Sequence, residues 1–158
     1  MRIIGIDPGT SILGFGVIDS EGQKKTMVDA GVITTRAHQP LDERLLEIYQ
    51  CITQVIEENK PEVMVIEKLF FAQNVTTAIS VSHARGVVML AGKQANLKLV
   101  ELTPLQIKQS LTGYGRATKN QIQQMVQTML KLQALPEPDD CADALAAALC
   151  YEGDKLIA

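Results

Sequence analysis

The chain opens on a run of apolar, largely β-branched residues from Arg2 to Asp7, interrupted by Gly5 and closed by Pro8-Gly9-Thr10-Ser11. Pro-Gly is a turn signal, so a strand ends at about Asp7 and the chain reverses. Leu13 to Ile18 is the returning strand, with Gly14 and Gly16 leaving little side-chain bulk on one face. Asp19-Ser20-Glu21-Gly22 makes a second turn, and Thr26 to Thr34 completes an antiparallel meander. The period then changes. Leu41, Leu45, Ile48, Ile52, Val55 and Ile56 follow helical spacing, which predicts a helix over 41–59 that starts near Pro40 and Asp42 and ends at Lys60-Pro61. Glu62 to Ile66 is short and almost continuously apolar, the pattern of a strand covered on both faces. A helix rich in small side chains over about 75–95 and a fifth strand over 97–102 follow. Thr103-Pro104 caps a helix to about Leu111, and Thr118 with Gln121 is a capping box for a helix to about Leu132. Beyond the rigid Pro136-Glu137-Pro138, Asp139 is placed as the N-cap of an Ala-rich last helix reaching about Tyr151. The order predicts one α/β domain over 1–158, a mixed five-stranded sheet with helices on both faces.

Composition changes this picture little, and charge changes it more. No run of about 18 apolar residues and no leader-like N-terminus is seen, so neither a membrane span nor a signal peptide is expected, and the chain is placed in the cytoplasm. Cys51, Cys141 and Cys150 are odd in number and lack metal spacing, as structural thiols do. Net charge is −3, yet it is distributed unevenly: Lys68 to Lys131 carries +7, with Glu101 its single acid, and the remainder carries −10. Such a chain can present a basic face to nucleic acid while staying acidic overall, although solvated helix faces that merely lack acids fit the same count.

Four carboxylates stand out. Asp7 ends an apolar strand, where an unpaired charge is costly without a partner. Glu67 holds the same position at the end of VMVIE; if those two strands are neighbours, both carboxylates leave the sheet side by side, and divalent cations are the usual remedy for that repulsion. Asp140 and Asp143, three apart, share the face of one helical turn. Plain N-terminal capping is the alternative reading of that pair, and it is the reading adopted for Asp139. Small residues around the pair, Ala142, Ala144, Ala146, Ala147 and Ala148, would let the helix approach the sheet closely. An all-oxygen donor set selects Mg²⁺ or Mn²⁺ over zinc. Two such ions about 4 Å apart can activate a water and stabilise the leaving oxygen of an in-line displacement at phosphorus. His38 and His83 are read as surface or helix-face residues, not bases.

With GIDPGTSILGFGVI, VIEKLFFAQN, the segment Ala84-Arg85-Gly86, Gly113 to Lys119 and DDCADALAAAL in this order, the chain resembles the RuvC family of Holliday-junction resolvases over nearly its whole length. The resemblance implies a ribonuclease-H-like fold, a homodimer, Mg²⁺ dependence and paired symmetric nicks in four-way junction DNA. It places the four catalytic acids on Asp7, Glu67, Asp140 and Asp143. It also implies that Phe70 stacks on bases at the junction centre, a role the residues alone left open because Phe70 and Phe71 also fit a core. Lys108 and Lys119 match basic residues near the scissile phosphate, Arg85 and Arg116 become backbone contacts, and the helix of about 75–95 becomes the dimer surface. RuvA and RuvB, the family's branch-migration proteins, are the implied partners. The acidic total charge, the extra Asp139 and the short tail after the last helix depart from the family's pattern.

Three other readings fit part of the pattern. Actin-like ATPases and sugar kinases share the Asp-x-Gly-Thr turn but need a second domain and a second phosphate loop. A nuclease of the same fold implicated in ribosomal RNA maturation would lack the Phe-Phe-Ala-Gln-Asn segment. A non-catalytic junction-binding module would not need all four acids.

Overall fold

The computed structural model describes residues 1–68 and 75–153. Three strands form the meander: β1 (Arg2–Asp7), β2 (Ile12–Glu21) and β3 (Lys24–Thr34). Helix α1 (Leu41–Asn59) leads to β4 (Val63–Glu67), and α2 (Val75–Gln94) leads to β5 (Lys98–Leu102). Three helices close the chain: α3 (Pro104–Thr112), α4 (Lys119–Leu130) and α5 (Asp139–Leu149). The sheet order is β3-β2-β1-β4-β5, antiparallel within the meander and parallel from β1 through β4 to β5. This is the mixed five-stranded, ribonuclease-H-like arrangement that the pattern predicted, and β1 and β4 are indeed neighbours.

Strand alternation divides the core into two layers. Ile4 and Ile6 of β1 face α1 and α2, packing with Ile48, Ile52, Ala84 and Val88. Ile3 of β1 and Val63 and Val65 of β4 face the other way, into a layer with α3, α4 and α5. Because period 2 sends Ile3, Gly5 and Asp7 to one face, and Val63, Val65 and Glu67 likewise, both strand-end acids face α5. The parallel register pairs Ile3 with Val63 and Gly5 with Val65, and continuing it brings Asp7 opposite Glu67.

Helix α5 lies against β1 and β2 because those strands carry glycine where it lands. Asp7 pairs with Gly14 and Gly5 with Gly16 across the β1–β2 ladder. A Cβ on Gly14 would stand 2.1 Å from the Asp140 carbonyl oxygen, and one on Gly5 would stand 2.0 Å from that of Ala144. No side chain fits at either distance. Burial of Leu145 and the surrounding alanines then holds the helix down, with about 1.5–3 kcal/mol from the leucine alone. The capping box expected at Thr118/Gln121 forms, and the cap expected at Thr103 is a capping box as well, with Gln106; each hydroxyl accepts from the third backbone N–H.

One cap differs from expectation. Pro138, with extended backbone, is the residue that precedes α5 and offers no side-chain cap hydrogen bond, so Asp139 is already in the first turn. All three cysteines are free thiols; Cys141 and Cys150 are buried and Cys51 is half-buried. Among the described residues, no helix is long and apolar enough to cross a membrane.

Candidate active site

Four acids from three segments converge at the carboxyl ends of β1 and β4. Asp7 and Glu67 come from the strand ends, while Asp140 and Asp143 come from the first turns of α5, lowered onto the sheet by the glycines beneath it. Burial pushes the Asp7 carboxyl up to about 7, and the charges of Glu67, Asp143 and Asp140 add to the rise while Lys119 opposes it. Glu67 is raised by burial and by Asp143, against the pull of Lys108. Asp143 is raised by burial too, with Lys119 pulling it back. A carboxylate raised this way lacks compensating positive charge. Among the described residues, no three acidic, histidine or cysteine side chains yet form a closed chelating group. The acids are near enough to repel one another without being drawn into a cage.

Lys108 and Lys119 form the site's positive wall. With Glu67, Asp143, Ile107 and Ile122 they line a cavity of about 270 Å³ between α3, α4 and α5. The Lys119 ammonium stands 3.2 Å from an Asp139 carboxylate oxygen and 3.5 Å from one of Asp143. Asp139 is therefore the partner of a lysine on another helix, and not a cap. The sequence held no local sign of this, since the two residues are brought together only by the packing of α4 on α5.

The remaining candidates separate. Arg85 is tethered: its Nε donates to the Glu67 carbonyl oxygen at 3.2 Å, and its Nη2 pairs with Glu101. It thus braces the end of β4 that carries Glu67, and the lone acid of the basic stretch absorbs its charge. Arg116 is exposed between α3 and α4. Phe70 lies outside the described residues.

Comparison with known proteins shows the family and the fold. Residues 3–151 match the family model described as crossover junction endodeoxyribonuclease RuvC. The crossover junction endodeoxyribonuclease RuvC of Desulfitobacterium hafniense is 54% identical over 151 residues, covering 96% of this chain and 92% of the relative. That of Alkaliphilus oremlandii is 51% identical with the same coverage. Among solved structures, Thermus thermophilus RuvC in complex with a Holliday junction substrate superposes with a TM-score of 0.90 at 34% identity, covering 95% of this chain and 92% of that one. The yeast mitochondrial Holliday junction resolvase Ydc2, 14% identical with a TM-score of 0.69 over 94% of this chain and 76% of that one, shares the fold. A sheet edge that gathers four acids under a two-lysine wall, matched across nearly the whole chain, places this protein in the RuvC family of crossover junction endodeoxyribonucleases.

Proposed function

We propose that this chain is a resolvase that cuts four-way junction DNA by paired symmetric nicks, as a homodimer of single nuclease domains spanning 1–158. The observation that carries the reading is the convergence of Asp7, Glu67, Asp140 and Asp143, with the Asp7 carboxyl driven up to about 7 by burial and by the other three acids. The solved complex of Thermus thermophilus RuvC with a Holliday junction substrate supports the choice of DNA.

The donor set suits hard divalent cations. All four side chains offer oxygen, and four negative charges balance two ions such as Mg²⁺, with Mn²⁺ able to substitute. Bound by these acids, such ions would supply an activated water and charge stabilisation at the scissile phosphate. The protein's own groups do the rest. Asp7 and Glu67 sit at the ends of paired strands and so hold position rigidly. Lys108 and Lys119 face the place where negative charge develops on the phosphate. Asp139 shares Lys119 with Asp143, which keeps the ammonium from collapsing wholly onto Asp143. Phe70 supplies stacking on an unpaired base, about 1–3 kcal/mol by the usual scale of such contacts. Arg116 and, through its bracing of β4, Arg85 contribute to holding the DNA backbone.

Helix α2 is the proposed dimer surface. Val75, Ile79 and Leu90 are 66%, 51% and 54% exposed and lie with Gly86 on a single helical stripe. RuvA and RuvB are the proposed partners in the cytoplasm. The deciding assay offers a synthetic four-way junction and a plain duplex of the same sequence, with Mg²⁺ and with EDTA, alongside sedimentation equilibrium. Mg²⁺-dependent cutting of opposed junction strands by a dimer is expected; equal cutting of the duplex would sink the reading.

A further inference from the structure

On the face of the sheet that carries α1 and α2, away from Lys108 and Lys119, lies a second open cavity of about 500 Å³. Its walls include Gly9, Thr10 and Ser11 from the turn after Asp7, Arg44 from α1, and Thr76 and Ser80 from α2. Among the described residues, no carboxylate lines it. Arg44 donates from Nε to the Thr35 hydroxyl at 2.9 Å and from Nη2 to the Ser11 hydroxyl at 2.8 Å. The Thr35 hydroxyl in turn donates to the Thr10 carbonyl at 2.6 Å, and the buried Thr10 shares a 2.7 Å hydrogen bond with the hydroxyl of Ser80.

This hydroxyl chain fixes the guanidinium in place without neutralising it. Three arginines are half-buried: Arg2 pairs with Asp19 and Arg85 with Glu101, whereas Arg44 has only neutral oxygens around it among the described residues. A guanidinium carries five N–H donors in a planar fork suited to phosphate, and those not used by Thr35 and Ser11 have no acceptor among the described residues. Half-burial of a charge is costly unless a counter-ion arrives. Thr10 is three residues past Asp7, so the pocket wall begins within about 11 Å of the acidic site along the chain.

We propose that this pocket binds a non-scissile backbone phosphate of the DNA strand that lies across Asp7, with Arg44 as the charged contact and the Ser11, Thr76 and Ser80 hydroxyls as further donors. The strand is then held from both faces of the sheet, by Lys108 and Lys119 on one and Arg44 on the other. The proposal rests on the reading of the site as a DNA nuclease.

The test measures binding, in EDTA so that nothing is cut, of a labelled four-way junction and a plain duplex across a salt series. Arg44→Ala should weaken both about 3–10-fold near 0.1 M salt and flatten the slope of log K against log salt by about 0.9, the release of one counter-ion. Arg44→Lys should keep the slope while losing part of the affinity, because an ammonium retains the charge but not the fork. Among the positions where single methylphosphonates scanned along the strand weaken wild-type binding, one near the cut should show no further loss in Arg44→Ala, whereas the others keep their penalty. A folded Arg44→Ala protein with wild-type affinity and slope would overturn the proposal, as would an undiminished methylphosphonate penalty. Should Arg44→Ala not fold, the lysine variant and the methylphosphonate scan on wild type still decide. Thermal protection by inorganic phosphate, lost in Arg44→Ala while DNA affinity stays unchanged, would assign the pocket to free phosphate instead. A wild type that binds junction no better than duplex would undo the junction reading, yet the slope difference on duplex would still judge the pocket.

Discussion

The two ends of strand β1 treat acidic side chains in opposite ways. At the start, Arg2 meets Asp19 through Nε at 2.8 Å and Nη2 at 2.9 Å, and its Nη1 donates to the Asn59 carbonyl. Asn59 in turn donates to Asp29, and the Arg2 backbone N–H donates to Glu62. Hydrogen bonding from Arg2 holds the Asp19 carboxyl below its ordinary range. At the finish, Asp7 is half-buried among three further acids and is pushed up to about 7. The same residue type is settled within the fold at one end and left unsettled at the other. Acids that serve folding are neutralised by the chain itself. The acids at the finish have only the partial offset of Lys119 and Lys108 among the described residues.

The contrast breaks most severely at Asp7. Asp7→Asn should lower junction cleavage by about a thousandfold or more, roughly 4 kcal/mol of transition-state stabilisation, while junction binding in EDTA persists. The same substitution should stabilise the metal-free protein. A carboxyl whose value is raised on folding holds its proton more tightly in the native state, so stability falls as pH climbs from about 4 to about 7 and levels off above. Melting of the two proteins in EDTA should therefore coincide near pH 4 and separate by the equivalent of about 1–3 kcal/mol at pH 8, with the variant higher. A variant that melts lower at pH 8 would make Asp7 a structural acid.

Smaller effects sharpen the comparison. Lys119→Met removes the one cation shared by Asp139 and Asp143, and single-turnover cleavage should fall about 10–100-fold. Asp139→Asn leaves the lysine in place and should cost only a few-fold; equal losses from the two would mean that Asp139 does more than hold Lys119. The smallest effect belongs to the settled end. Asp19→Asn should leave cleavage at the wild-type rate and lower the melting temperature by about 1–3 °C at pH 7. Because the Asp19 value is depressed on folding, its contribution is present above about pH 4 and vanishes as pH falls through the lowered value, where the two melts should meet.

Much of this was legible in the sequence because the relevant rules are local. Asp7 and Glu67 close apolar strands, and a period of two dictates which face they take. The i, i+3 spacing of Asp140 and Asp143 dictates a shared turn. Thr103 announces its helix through Pro104, and Thr118 through Gln121 three residues on. What escaped the sequence depends on contacts between distant elements. Asp139 resembles a cap until Pro138 takes that position and Lys119 arrives from α4. Nothing local to Arg85 announced that Glu101 and the Glu67 carbonyl would hold it against β4 and β5. Arg44 carried no signal at all, because its meaning lies in the carboxylate it does not meet. The glycines gave a partial signal: low bulk at Gly14 and Gly16 was visible, but the helix that lands there was not.

The glycine track under α5 makes the active geometry a casting, with its mould in β1 and β2. The separation of Asp140 from Asp7 is set by atoms that Gly14 lacks, so any other residue there moves the helix and splits the four acids. Such a defect is one of distance and not of free energy; compensating mutations that raise stability elsewhere would restore the fold without restoring the chemistry. Grafting the four acids onto another α/β sheet that lacks this track would likewise copy the residues and miss the spacing.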